Sequence, residues 1–210
     1  MKSPFSELSK AQITFLYDLL EVHIYKFNKN QEILPTIKNE NIVGIILSGE
    51  AEIIYIEYNG NEIIVENLVK DSVFGSNISS TNDENYQILA KEDAEVLVIN
   101  YNKLMNPKNL GHPYFDIFFR NLFEIITTKL KERNERIKIL EKKQIREKLL
   151  EYFEIEYKKT HNKTIYLPFN LKDLADYIAV NRSAMFRELK NLKEEKFVDV
   201  QGKKIILLYK

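Results

Sequence analysis

Arg182, Ser183, Phe186 and Arg187 fall at i, i+1, i+4 and i+5 of a short segment, so on a helix they share one side. Their chemistry suits the edges of base pairs. A guanidinium can fork onto O6 and N7 of guanine, a serine hydroxyl can bond several bases or a phosphate, and a phenyl ring can pack on a thymine methyl. Lys190 continues the same side, and Lys203 and Lys204 follow in a Gly-containing turn. With Asn170, these lysines suit the phosphate backbone, where contacts set register without specifying sequence. Any one of these residues would equally fit a solvated basic face. Their order among caps and turns is what points to nucleic acid.

The segment 170–193, NLKDLADYIAVNRSAMFRELKNLK, supplies elements to hold them. Asn170 can cap a helix starting at Leu171, with Asp173 in its favourable first turn. Leu174 and Ile178 face inward, and Ala175 is small enough for a close helix crossing. Ala179-Val180 makes a tight turn, Asn181 caps a second helix, and Met185, Leu189 and Leu192 form its buried side. A small hairpin follows over Phe197–Leu208, turning at Gln201-Gly202-Lys203. Upstream, a helix over Ile139–Tyr157 is expected to bury Ile145, Leu149, Leu150 and Phe153, and a short strand Thr164–Leu167 ends at Pro168. Together these make a winged helix-turn-helix, whose second helix enters the major groove N-terminus first.

Before this segment the periodicity differs. From about residue 22 to 100 short strands recur: Val22–Phe27, Ile42–Leu47, Ala51–Ile56, Glu62–Val65 and Ala94–Ile99. Tyr58-Asn59-Gly60-Asn61 is a hairpin signal, since Asn and Gly can both take positive φ. A β-roll or sandwich is the expected result. From Pro113 to about Arg136 the spacing turns helical, without Gly or Pro to interrupt it. Its apolar stripe, widened by Ile125, can cover a sheet on one edge and a partner chain on the other. Phe115, Phe118, Phe119, Leu122 and Ile126 are the expected dimer contacts. The expected division is residues 1–111, 112–137 and 138–210.

The formal net charge is zero, but residues 1–136 hold 14 Lys+Arg against 20 Asp+Glu, and residues 137–210 hold 17 against 11. Polyanion binding is thus expected in the second part alone. The absence of Cys excludes disulfides, thiolate nucleophiles and cysteine-ligated iron–sulfur clusters. His23, His112 and His161 are far apart with no ligand spacing, which argues against haem or another metal. No His cluster, Gly-rich phosphate loop or Ser/His/Asp arrangement supports an enzyme on a cupin-like barrel. No apolar run reaches membrane-spanning length and the first residues lack a secretory apolar core, so a cytoplasmic protein without membrane contact is expected.

The chain resembles the cyclic-AMP receptor protein/FNR (Crp/Fnr) superfamily of bacterial regulators over nearly its whole length. The resemblance rests on Ser48-Gly49-Glu50-Ala51-Glu52-Ile53, on Asp71-Ser72-Val73-Phe74-Gly75, and on Leu171 to Leu192, whose Asn-Arg-Ser-Ala-Met-Phe-Arg-Glu-Leu is similar to the family's recognition helix. It implies an α+β chain: a cyclic-nucleotide-binding-like β-roll (double-stranded β-helix or jelly roll), a long dimerisation helix and a C-terminal winged helix-turn-helix. It further implies a homodimer on a palindromic duplex operator, with RNA polymerase as a candidate further partner. Arg182 and Arg187 match the family's two base-contacting arginines. Ser183 stands where the family often has a base-reading Glu, so a different half-site is expected. Ala179 stands where Gly is frequent, and a left-handed residue there would cost about 1 kcal/mol.

The resemblance also implies an effector segment, expected around Phe74, Gly75, Ser76, Asn85 and Tyr86, with Thr127 and Thr128 from the long helix. Cyclic-nucleotide members follow Phe-Gly with Glu and later place Arg on the phosphate. Here Ser76 follows, and Asn82-Asp83-Glu84-Asn85-Tyr86 holds no basic residue, so an anionic phosphate would be repelled. The expected effector is therefore a small molecule other than cyclic AMP. The alternative is a regulator that works constitutively with a degenerate sensor.

Overall fold

The computed structural model describes residues 2–33, 41–75 and 85–210. In chain order the elements are α1 (Lys10–Leu19), β1 (His23–Phe27), β2 (Ile42–Ser48), β3 (Ala51–Ile56), β4 (Glu62–Leu68), β5 (Val73–Gly75), β6 (Tyr86–Ala90), β7 (Ala94–Asn100), α2 (Tyr101–Leu104), α3 (Pro113–Leu140), α4 (Ile145–Thr160), β8 (Thr164–Tyr166), α5 (Leu171–Tyr177), α6 (Arg182–Glu194), β9 (Val198–Gln201) and β10 (Lys204–Leu207). The chain divides into two compact units, Met1–Thr128 and Lys129–Lys210. Among the described residues, no helix is long and apolar enough to cross a membrane.

The first unit is the β-roll. One sheet has the order β1-β7-β2-β5 and the other β4-β3-β6. Alternation along the strands sorts their side chains into two cores. Ile42 and Ile46 of β2 and Val96 and Val98 of β7 face Ile53 and Ile88 of the other sheet. Their neighbours Val43, Ile45, Leu97 and Ile99 face the opposite way, onto α1 and onto Phe115, Phe118, Leu122 and Ile125 of α3. Being covered on both faces explains why β2 reads as an unbroken apolar run rather than an alternating one. The β3–β4 hairpin closes differently from the expected pair of left-handed residues. Gly60 N–H donates to Glu57 O at 2.8 Å, Glu57 N–H to Asn61 O at 2.8 Å, and of the loop residues only Gly60 has positive φ, +83°. A three-residue loop ending in one left-handed glycine meets the same need.

Sequence periodicity did not anticipate α1. Ser9 and Gln12 start it with a reciprocal capping box. Buried Asn121 of α3 holds the segment before it, donating to Ser6 O at 2.8 Å and Pro4 O at 3.3 Å.

The long helix α3 runs four residues past its expected end, and Ile139, placed by sequence in the next helix, is its last buried residue. The expected helix Ile139–Tyr157 is thus replaced by a break and a new start at Ile145. Glu147 Oε2 accepts from Gln144 N–H at 3.2 Å, and Lys142 pairs with Glu151 at 3.3 Å across the break. A local cap there outweighs continuous helical periodicity.

The second unit packs α4, α5 and α6 on the sheet β8-β10-β9. Its core joins Ile139, Leu149, Phe153, Leu174, Met185, Leu192, Val198 and Ile205, all at most 1% exposed. Ile145 and Leu150, expected at full burial, lie half-buried at its edge.

Candidate nucleic-acid interface

The first helix of the motif is fixed at its start by the expected cap. Asn170 Oδ1 accepts from Lys172 N–H at 2.8 Å and Asp173 N–H at 3.0 Å. This commits the side-chain oxygen of Asn170 to the helix and leaves its NH2 group for an outside acceptor. Ala175 is fully buried, as a close crossing of α5 and α6 requires.

The turn between the helices is tightly held. Ala179 takes φ +51°, the left-handed conformation expected of this position, and Val180 N–H donates back to Ala175 O at 3.0 Å. Side-chain donors satisfy the carbonyls that α5 leaves free at its end. Arg136 Nε donates to Tyr177 O at 3.2 Å, and its guanidinium lies 5.2 Å from the Tyr177 ring centre. Lys148 Nζ reaches Ile178 O at 3.1 Å and Ala179 O at 3.4 Å. Cations at a helix C-terminus also suit its dipole. Sequence gave no signal for Arg136 or Lys148 in this role, because both come from helices far away in the chain.

Asn181 caps α6 by accepting from Ala184 N–H at 3.2 Å. Met185, Leu189 and Leu192 point into the core, so helical geometry turns Arg182, Ser183, Phe186, Arg187 and Lys190 outward, and all five are exposed. Phe186 is 42% exposed and presents aromatic surface on the outward side of α6. Arg187 makes no ion pair among the described residues, and Lys190 pairs loosely with Glu194 at 3.7 Å. Arg182 differs: its guanidinium is held by Asp176 of α5, with Nη2–Oδ2 at 2.7 Å. In the β9–β10 turn Gly202 has φ +61°, Lys203 is exposed and Lys204 half-buried. From α4, Arg146 pairs with Glu188 and Glu195 and lies over the Phe197 ring, bracing α6 from behind.

The charge split sharpens when counted over the compact units. Residues 129–210 hold 21 Lys+Arg against 13 Asp+Glu, and residues 1–128 hold 10 against 18. The unit with the exposed arginine face is therefore at +8 and the β-roll at −8.

The residues expected at an effector site fare unevenly. Phe74 is fully buried between the sheets, directly beneath Gly44, where a Cβ would lie 2.3 Å from the ring. It is a core residue and has no surface for a ligand. Gly75 is buried too, and a Cβ there would lie 2.2 Å from Ile42 O, so strand packing accounts for this glycine. Tyr86 is half-buried against Tyr55, with ring centres 5.0 Å apart. Asn85 accepts through its carbonyl from Ile56 N–H at 2.8 Å. Thr127 turns its hydroxyl back onto Phe123 O and Glu124 O, and Thr128 is exposed. Ser76 and Asn82 to Glu84 lie outside the described residues.

The expected dimer contacts also need correction. Phe115, Phe118 and Leu122 are at most 2% exposed and belong to the β-roll core, which leaves them no area for a partner; Phe119 and Ile126 are half-buried. Besides Leu140 at its end (37%), the exposed apolar residues of α3 are Phe123 at 60%, Leu130 at 57% and Ile137 at 51%. Their seven-residue spacing is that of a coiled-coil seam. It was present in the sequence, hidden by the denser stripe beside it.

Comparison with known proteins agrees with this geometry. Residues 25–106 match the family described as the cyclic nucleotide-binding domain. A chain of Porphyra purpurea named "Putative HTH-type transcriptional regulator ycf28" is 26% identical over 192 residues, covering 89% of this chain and 78% of its own. Among solved structures, CprK complexed with OCPA aligns with a TM-score of 0.64 at 18% identity, over 92% of this chain and 91% of that one. A CooA mutant from Carboxydothermus hydrogenoformans aligns with a TM-score of 0.57 at 20% identity, over 96% and 87%. At these identities the structural likeness shows the fold alone, the one this chain shares with CprK and CooA.

Proposed function

We propose that this chain is a transcription regulator of the Crp/Fnr type that binds a two-fold symmetric duplex operator as a homodimer, with α6 of each copy in the major groove. The observation that carries this reading is the exposed face Arg182-Ser183-Phe186-Arg187, set on a helix whose other side is locked in a core. Arg182 and Arg187 supply forked donors for guanine, Ser183 a small adaptable hydroxyl and Phe186 an apolar contact for thymine. Lys190, Lys203, Lys204 and the Asn170 amide group hold phosphates. The +8 charge of this unit supplies the long-range attraction.

The dimer forms through Phe123, Leu130 and Ile137, because these are the most exposed apolar residues of α3. An effector other than cyclic AMP controls the regulator through the β-roll. Among the residues expected around an effector, none of those described is basic, which supports a ligand without a phosphate to neutralise. With no cysteine in the chain, sensing through a cysteine-ligated iron–sulfur cluster is closed to it.

The test is selection of random duplexes by the purified protein near physiological salt, followed by sequencing. Enrichment of a palindrome with half-site centres about 10–10.5 base pairs apart is expected. Absence of any affinity at low salt, where phosphate contacts are strongest, would sink the reading.

A further inference from the structure

We infer that Asp176 is a specificity-determining partner of Arg182, orienting its guanidinium and steering it towards a neutral base edge and away from phosphate. This rests on the docking of α6 proposed above and deepens it.

Arg182 is the first residue of α6, and Asp176 lies near the end of α5 across the turn. Two contacts join them: Nη2 donates to Oδ2 at 2.7 Å and Nε to Oδ1 at 3.4 Å. A two-point grip fixes the plane of the guanidinium as well as its position. The Asp176 carboxylate bonds no other side chain among the described residues, and both partners are 57% exposed. The pair thus stands on the outward face and has no part in the core. Asp173, in the first turn of α5, adds to the negative field at Arg182. A cation at a helix N-terminus is disfavoured by the helix dipole, and the carboxylate offsets that.

The consequence for recognition follows from charge. Two of the five guanidinium N–H donors are engaged by Asp176, which leaves three on Nη1 and Nη2 for a base. Guanine O6 and N7 are neutral acceptors and can approach these donors without opposing the carboxylate. A phosphate brought to the same donors meets Asp176 as a like charge. Arg187, about one and a half turns further along, has no such partner among the described residues and can take either. Arg182 is therefore selective where Arg187 is permissive, and Asp176 is the reason.

The experiment compares the full chain with Asp176→Asn, Asp176→Glu and Arg182→Ala, by duplex selection and by titration of selected and random duplexes over a salt series. Asp176→Asn should keep the thermal stability of the parent, since the side chain supports no core. Its binding to random duplex should tighten, with the slope of log affinity against log salt steeper by about 0.9, the value of one added phosphate contact. The selected-to-random affinity ratio should fall about ten-fold, within the range that one forked arginine–guanine contact discriminates. The lost preference should lie at the base pair that Arg182→Ala also erases, and Asp176→Glu should return the salt slope to that of the parent. If Asp176→Asn leaves ratio and slope unchanged while Arg182→Ala erases a position, Asp176 has no such role and the docking stands. If Arg182→Ala erases nothing, the docking itself is wrong, and this inference falls with it.

Discussion

Replacing Ala179 by Gly should stabilise the second unit, against the usual rule that a glycine inside a structured motif weakens it. Ala179 sits at φ +51° between α5 and α6, and its methyl group is exposed. In the left-handed region a Cβ costs about 1–2 kcal/mol, because it crowds the following carbonyl. Glycine removes that strain and loses about 0.4–1 kcal/mol through the greater freedom of the unfolded chain. No burial is forfeited, and the backbone bonds to Asp176 O and from Lys148 persist. The net gain is about 0.7 kcal/mol. It should raise protection of α5 and α6 amides about three-fold in hydrogen exchange read by mass spectrometry, under conditions where exchange reports opening of the whole unit. Lys196, at φ +58° after α6, provides a second position where the same change should act in the same direction. Unchanged or reduced protection in Ala179→Gly would show that the turn is not strained as its dihedral implies.

Other perturbations separate the roles assigned to individual residues. Arg187→Ala should weaken operator binding by about 1–3 kcal/mol and relax one base preference, whereas Lys203→Ala should weaken all sequences alike; anisotropy titrations on matched and scrambled duplexes distinguish the two. Leu130→Glu or Ile137→Glu should leave a folded chain and halve the mass in sedimentation velocity, since both side chains are more than half exposed; an unchanged mass would place the dimer contact elsewhere. Phe118→Ala should instead cost about 3–5 kcal/mol of folding stability, as a fully buried ring of the first unit, with no direct effect on association. Burial pushes the Tyr152 phenol well above its ordinary value, with Glu156 and Tyr177 adding to the effect. An unfolded tyrosine ionises near pH 10. The buried phenol's contribution is therefore intact below that pH and is lost as pH rises above it, by up to about 1.4 kcal/mol per unit. Tyr152→Phe should make the alkaline limb of a urea-unfolding series shallower, and an identical limb would contradict the burial argument.

Much of the second unit was legible in the residues themselves, because its determinants are local. Asn170 and Asn181 cap helices two or three residues away, Gly202 turns a hairpin of adjacent strands, and the outward face of α6 follows from 3.6-residue geometry once Met185, Leu189 and Leu192 point inward. A tight turn at Ala179-Val180 was legible too, and its left-handed residue was implied by the resemblance, in which Gly is frequent at that position. The β-roll was legible as a class, since alternation and turn residues mark strands without saying which strands pair. What periodicity could not decide was which neighbour covers an apolar residue. Phe115 and Phe118 share a stripe of α3 with residues that could as well have met another chain, and only the packing of that stripe on β2 and β7 assigns them to the core and leaves Phe123, Leu130 and Ile137 bare. The resemblance implies a ligand site at Phe74, yet the ring lies under Gly44, because the sheet brings together residues thirty apart in the chain. The pairing of Asp176 with Arg182 depends on how a turn folds back, and the grip of Arg136 and Lys148 on that turn depends on helix packing. Local composition specifies elements and their caps; contacts between distant residues exist only once the chain has closed on itself, and tertiary structure decides them.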